Sequence, residues 1–188
     1  MTQASSQRRP EFSRPIIADK IASSGIEETI EADEAERRAL AGRMELIAID
    51  RLRASVRLRR IRGEMIRVVG RLEADVVQTC VVTLDPVSNH VSEEFSALYA
   101  PDHLIPREDP DAEALFSLDD DEDFPEPMPG GRIDIGELVA QHLSLGLDPY
   151  PRVPGVSFQG PEEEEEPVEE PPARPNPFEA LARLKRPI

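Results

Sequence analysis

The residues with the clearest chemical potential in this sequence are arginines that recur at alternate positions. The six candidates are Arg51, Arg53, Arg57, Arg59, Arg67 and Arg71. Planar guanidinium groups suit phosphate oxygens, so the set predicts a phosphate-binding basic face. A solvated sheet face, on which arginine stems cover apolar edges, explains the same pattern, and both interpretations stay open. No aromatic residue alternates with the arginines, which argues against base stacking in the RRM style.

The other chemistry-bearing residues form no catalytic or metal-binding pattern. The single cysteine, Cys80, shares its alternating positions with Val76 and Val82 and is expected to be a buried thiol. The three histidines match no zinc-protease motif, and one cysteine leaves too few soft ligands for a zinc site. No G-x-G-x-x-G or Walker loop occurs, so nucleotide binding is unsupported. We therefore expect no enzymatic activity, no metal and no cofactor.

The stretch that must position these residues alternates apolar and polar side chains from Ile66 to Leu84. A period of two predicts a long strand with one buried face. Asp85-Pro86 is a type I turn signal, and alternation resumes up to Tyr99, so we expect an antiparallel hairpin. A strand of this length should bend or bulge, and Gly70 is the favoured position.

Shorter elements flank this hairpin. Residues 11–17 and 26–32 are possible strands, and residues 45–61 are a strand pair or one long strand. Gly63 is the expected turn from that segment into the hairpin. If the segments on either side of Gly63 are neighbours, all six arginines lie on one outer face.

Two helices are predicted from capping signals. Asp33 followed by Glu36 is a capping box, and Asp134 followed by Glu137 repeats it. Behind Asp134 the apolar residues recur at helical spacing, and His142 lies within or beside that stripe. We expect His142 to be a packed core residue rather than a ligand or a base.

These elements predict an α+β fold: a curved antiparallel β-sheet of about five to seven strands with two packed helices, an acidic disordered linker and a short C-terminal helix. The expected organisation is a disordered N-terminus over 1–10, one domain over 11–153 with an acidic loop over 100–131, an acidic proline-rich linker over 154–175 and an amphipathic helix over 176–188.

The last segment has the features of a docking helix. Asn176 is a good N-cap, and Pro177 suits the first helical position. Phe178 and Leu181 then share one face of the helix. Docking onto a partner and folding back onto the chain's own sheet both remain open.

Charge is distributed unevenly along the chain. The net charge is −16, yet residues 37–71 hold 11 arginines against three acidic residues, a net of +8. Residues 93–172 hold 23 acidic residues against three arginines, a net of −20. Such a chain should adhere poorly to nucleic acid in general, while its basic part leaves a local polyanion site possible. No apolar run approaches the roughly 20 residues of a membrane span, and a cytoplasmic location is the default expectation.

Three motifs, in this order, resemble the YceD family of large ribosomal RNA subunit accumulation proteins. They are QTCVVTLDPV over 78–87, GELVAQHLSLGLDPYPR over 136–152 and NPFEALARLK over 176–185. The similarity is closest to the alphaproteobacterial form. The residues that match the family's motif turn are Cys80, Thr83, Leu84, Asp85, Pro86 and Val87. Many members carry Cys-x-x-Cys there, and because Thr83 replaces the second cysteine, no metal or redox role is expected of this pair.

The resemblance implies a non-enzymatic ribosome-biogenesis factor that supports synthesis, processing or accumulation of large-subunit (23S) ribosomal RNA. The partner would be that RNA or a large-subunit assembly intermediate, and the arginine face would contact its phosphates. The alternative is an acidic adaptor, or chaperone-like partner, of a basic ribosomal protein. In that case residues 119–123 and 162–166 would bind by imitating the charge of RNA.

Overall fold

The computed structural model describes residues 10–61, 63–105 and 124–157, and within them seven strands and two α-helices are formed. The strands are β1 (Pro15–Ile17), β2 (Ile26–Glu31), β3 (Ala48–Arg60), β4 (Ile66–Thr79), β5 (Pro86–Ala100), β6 (Glu126–Pro127) and β7 (Arg132–Asp134). The helices are α1 (Glu34–Arg43) and α2 (Ile135–Gly146). The centre of the predicted acidic loop, most of the predicted linker and the whole of the segment predicted as a C-terminal helix lie outside the described residues.

The main sheet has five strands in the order β2-β3-β4-β5-β6. Its pairs are antiparallel except β5 with β6, which is parallel. A separate two-stranded sheet pairs β1 with β7. The α+β class and the mostly antiparallel sheet are thus confirmed. The pairing of β1 with β7 was not predicted. Each strand has only three residues, which is too short for an alternating pattern to indicate a partner.

Apolar side chains on one face of the sheet form the core. Leu52, Val56, Leu58, Ile66, Val68 and Leu72 are among the side chains that are fully buried. Helix α2 packs on β5 and β4, and α1 contacts β3. The buried stripe of α2 contributes Ile135, Leu138, Val139 and Leu143. The alternation in β3 and β4 therefore fixes which face of each strand looks inward and which meets solvent.

Both helices begin at the predicted N-caps. The Asp33 side chain accepts a hydrogen bond from the Glu36 backbone, and the Glu36 carboxylate accepts one from the Asp33 backbone, which completes the capping box of α1. At α2, Asp134 accepts from the N–H groups of Gly136 and Glu137. The capping box predicted there is not closed as expected, because the Glu137 carboxylate instead binds Arg43, with N···O distances of 2.9 and 3.0 Å.

The irregularity in the sheet does not lie at Gly70, where it was predicted. The register shifts between Ile49 and Arg51 of β3, which places the bulge at Asp50. Gly70 pairs regularly with Val56 and Phe95. A Cβ atom on Gly70 would lie 2.4 Å from Cζ of Phe95, so the glycine makes room for an aromatic ring rather than bending the strand.

Candidate nucleic-acid interface

The six arginines of the predicted basic face all lie on the solvent side of β3 and β4. Leu52, Val56 and Leu58 point into the core, so the alternate positions of β3 point outward. The β3–β4 register puts Arg59 opposite Arg67 and Ser55 opposite Arg71. The structure therefore brings these side chains onto one surface, which we call the outer face.

Carboxylates from neighbouring strands interrupt this surface. The register places Glu27 opposite Arg57, Glu31 and Glu73 on either side of Arg53, Asp75 opposite Arg51, and Glu94 opposite Arg71. Arg57 binds Glu27 at 2.8 Å, and that hydrogen bond raises the pKa of Arg57. Arg71 lies 3.8 Å from both Glu73 and Glu94. Five carboxylates thus accompany six arginines, and most of the face is close to neutral.

These carboxylates were missed from the sequence. Glu27 and Glu31 alternate with Ile26 and Ile30, so their position on one strand face was readable. Which arginine each one meets depends on the pairing register of β2 with β3. Register is a property of two strands together, and neither sequence segment states it alone.

Near the turn at Gly63, one arginine of the outer face, Arg59, is not accompanied by a carboxylate in the described residues of β2 or β4. Arg59 and Arg67 face each other directly across β3 and β4, next to the turn at Gly63. Like charges placed directly opposite each other destabilise a sheet. An anion bound at Arg59 would offset that repulsion. We call this corner, with Arg59 exposed and Arg67 opposite it, the basic end, and Arg59 is the arginine of the face most suited to phosphate.

The motif turn differs from its prediction. Strand β4 ends at Thr79 and Pro86 already belongs to β5, so Asp85-Pro86 is not the centre of the turn. The connection is the loop from Cys80 to Asp85, closed by the Cys80 N–H, which donates to the Asp85 carbonyl at 2.8 Å. Leu84 takes a φ of 65° there and is 75% exposed, although alternation had placed it on the buried face. Val87, in β5, is buried.

Cys80 lies fully buried at the base of this loop. Its sulfur accepts hydrogen bonds from the backbone N–H groups of Val82, Thr83 and Val153, at 3.4 to 3.5 Å. Hydrogen bonding lowers the pKa of the Cys80 thiol to about 6, with the Thr83 side chain as the largest cause, while burial opposes the shift. The position makes Cys80 an anchor of the loop, and Thr83 contacts it as a hydrogen-bond donor.

The histidines are separated in space as they are in sequence. His142 stacks on Phe95 with ring centroids 4.7 Å apart, and burial lowers the pKa of its imidazole while Glu126 and Glu93 oppose the shift. His90 contacts Asp75 at 2.7 Å, and His103 contacts Glu64 at 3.1 Å. Over residues 10–61, 63–105 and 124–157, no group of three or more His, Cys, Asp or Glu side chains is arranged to hold a metal ion.

The remaining predicted site residues belong to the predicted docking helix. They lie outside the described residues and are Asn176, Pro177, Phe178 and Leu181. Within the part of the chain that is described, neither helix has the length and apolar character needed to cross a membrane.

The chain matches a known protein family. No curated protein and no solved structure matches the chain. The family described as large ribosomal RNA subunit accumulation protein YceD matches residues 68–185, which is more than half of the chain. The matched segment begins at Val68, so only Arg71 of the six arginines falls within it, and the loop at Cys80 and helix α2 lie wholly inside. The chain therefore belongs to the YceD family of large ribosomal RNA subunit accumulation proteins.

Proposed function

We propose that this protein is a non-enzymatic ribosome-biogenesis factor that acts in the cytoplasm and contacts large-subunit ribosomal RNA through the basic end of its sheet. Membership of the YceD family carries the proposal, because the family is described by the accumulation of that RNA. The exposed guanidinium of Arg59, which has no carboxylate opposite it in the described residues of β2 and β4, is suited to phosphate oxygens.

The carboxylates on the outer face limit how much RNA such a surface holds. At physiological salt the screening length is about 8 Å, so an arginine beside a glutamate presents little net charge to a distant phosphate. We therefore expect about two phosphate contacts rather than six. For single-stranded RNA this corresponds to a slope of about −1.4 in a plot of log affinity against log salt concentration.

Crosslinking in living cells tests the direct contact. Ultraviolet crosslinking followed by protease digestion should recover fragments of large-subunit ribosomal RNA above the background of an uncrosslinked sample. Purified protein should bind the same fragments with the shallow salt slope given above. Recovery of no ribosomal RNA above background would overturn the proposed contact.

The interleaved carboxylates favour a second candidate function, that of an acidic adaptor for a basic ribosomal protein. The outer face carries carboxylates that can contact a cationic partner, just as its arginines can contact an anionic one. These carboxylates belong to Glu27, Glu31, Glu73, Asp75 and Glu94. Affinity capture after nuclease treatment separates the two. A basic ribosomal protein that remains bound without RNA supports the adaptor, and its loss with the RNA supports the first function.

A further inference from the structure

The corner of the sheet where β2 begins has a feature that the arginine pattern does not reveal. Residues 22–25 form a turn, closed by the Gly25 N–H, which donates to the Ala22 carbonyl at 2.9 Å. Gly25 has a φ of 81°, and a Cβ atom there would lie 2.7 Å from the Leu58 carbonyl oxygen and 3.7 Å from Cα of Arg59. The turn is therefore packed against β3, directly beside Arg59.

This turn presents hydrogen-bond donors to the solvent. Ser23 and Ser24 occupy its two central positions and are exposed. Among the described residues, neither backbone N–H has an acceptor. Successive free N–H groups in a turn form a concavity that favours anions. Two serine hydroxyls lie on the same turn, and the Ser24 hydroxyl makes only a long hydrogen bond of 3.4 Å to the Gly25 carbonyl.

An open depression of about 540 Å³ joins the turn to the arginines. It is lined by the turn residues Ser23–Gly25, by Ile26 and Glu27 at the start of β2, and by Arg57 and Arg59 of β3. Arg57 is already held by Glu27 at 2.8 Å. Arg59 is exposed and, among the described residues, faces no carboxylate on β2 or β4, so its guanidinium remains available to a ligand.

We propose that this depression is a phosphate-binding subsite, in which the Ser23–Ser24 turn and the Arg59 guanidinium hold one phosphate group of an RNA strand. The proposal rests on the proposed function, and it identifies where the strand is gripped. Arg67 lies on the next strand opposite Arg59 and adds positive charge beside the subsite.

The negative charge of Glu27 leads to a distinctive prediction about RNA affinity. Glu27 lines the depression, where its negative charge repels phosphate, and its carboxylate binds Arg57. Removing the Glu27 charge should therefore strengthen RNA binding, whereas changing a residue that holds the phosphate should weaken it. A change from glutamate to glutamine at a surface position rarely improves a contact unless the ligand is an anion.

Nuclear magnetic resonance of the full-length, isotope-labelled protein tests the location. Inorganic phosphate and a 12-nucleotide single-stranded RNA with a 5′-hydroxyl are each titrated in low salt. Both should shift the backbone amide signals of Ser23, Ser24 and Gly25. A third titration with the 5′-phosphorylated RNA separates the sources: equal affinity identifies an internal phosphodiester, and tighter binding identifies the terminal phosphate.

Four variants test the residues, with RNA affinity as the readout. Arg59→Glu should weaken binding on the order of tenfold and lower the magnitude of the salt slope by about 0.7, the share of one single-strand phosphate. Glu27→Gln should strengthen binding about fivefold. The double change Ser23→Ala and Ser24→Ala should weaken it about threefold.

Arg53→Glu is the matched control, because it makes the same charge change on the same face between Glu31 and Glu73 and should preserve the amide shifts at the turn.

The outcomes separate this proposal from the one it rests on. RNA that binds but shifts other amides, with Arg59→Glu binding as the wild type does, overturns the subsite and leaves the proposed function standing. Weaker binding by Glu27→Gln also overturns it. Absence of any RNA binding by the wild type overturns both the subsite and the direct RNA contact.

Discussion

Gly70 illustrates how one residue governs the packing of the sheet against α2. Its missing side chain leaves room for the ring of Phe95, which stacks in turn on His142 of α2. In a strand, alanine is normally preferred to glycine, because glycine loses more conformational freedom on folding. At this position the steric conflict is the larger effect, since the Cβ atom would lie 2.4 Å from the ring.

Gly70→Ala should consequently lower the free energy of unfolding by about 1–3 kcal/mol, as expected when a packed core is overfilled. Urea denaturation measures it. Gly42→Ala is the control, because a Cβ atom on Gly42 in α1 meets nothing within 4 Å. That change should stabilise the protein by about 0.5–1 kcal/mol. A Gly70→Ala variant as stable as the wild type would contradict this account of the core.

Two properties of Cys80 have opposite effects on its reactivity, the lowered pKa of its thiol and the burial of its sulfur. A thiol whose pKa is lowered to about 6 is largely thiolate at neutral pH and so intrinsically reactive. Its sulfur is, however, fully buried and surrounded by backbone N–H groups. We expect burial to decide the outcome, so that Cys80 anchors the loop and does not act as a nucleophile.

Alkylation of the native protein at neutral pH should accordingly be slower than that of the urea-unfolded protein by on the order of a hundredfold or more, because it must await local opening. The rate, followed by mass spectrometry, should rise with urea concentration. Prompt alkylation of the folded protein would show that the thiol is accessible and would refute the anchoring role.

At the scale of elements, α1 is tied to the N-terminal segment by Glu36. Its carboxylate accepts from the Asp33 backbone at 2.9 Å and from Arg14 at 2.6 and 2.9 Å. The hydrogen bond from Arg14 is the main reason that the pKa of Glu36 is lowered from 4.5. Because the folded pKa is the lower one, the contribution to stability is complete above about pH 4.5 and is lost as the pH falls through the folded pKa.

Glu36→Gln should therefore cost about 1 kcal/mol at pH 7, a modest value because the Arg14 side chain remains 34% exposed. The difference from the wild type should shrink below pH 4. Glu34→Gln is the control, since Glu34 makes only an exposed pair with Arg38 and should cost less than about 0.5 kcal/mol. Chemical denaturation across pH 3 to 7 gives both curves, and a difference that persists unchanged at pH 3 would rule out the ionised contact.

Most elements were predictable because each follows from a local pattern. Alternation identified β3, β4 and β5, and the signal at Asp33 identified the start of α1. The hairpin turn was misplaced because Asp85-Pro86 is a strong local signal, whereas the buried Cys80 and its hydrogen bond to Val153 depend on a distant segment. The bulge at Asp50 was missed for a similar reason, since a bulge is defined only by the partner strand.

At the scale of the molecule, the sequence predicted the arginine face but not its charge. A count along residues 37–71 gives a net of +8, while the folded outer face gathers carboxylates from three further strand segments. Sheet pairing thus converts a strongly basic segment into a nearly neutral surface with one basic end. The net charge of the whole chain, −16, further disfavours adhesion to nucleic acid in general. A local and specific contact is the form of RNA binding that such a molecule permits.

The most direct test of the central claim is the ratio of large-subunit to small-subunit ribosomal RNA in cells depleted of this protein and supplied with variants. Depletion should lower the ratio, and the wild-type chain should restore it. The double variant Arg59→Glu with Arg67→Glu should fail to restore the ratio. The control is the double variant Arg51→Glu with Arg53→Glu, which makes the same charge change where carboxylates lie opposite the arginines. This control should restore the ratio. An unchanged ratio on depletion, or full restoration by the Arg59 and Arg67 double variant, would contradict the account.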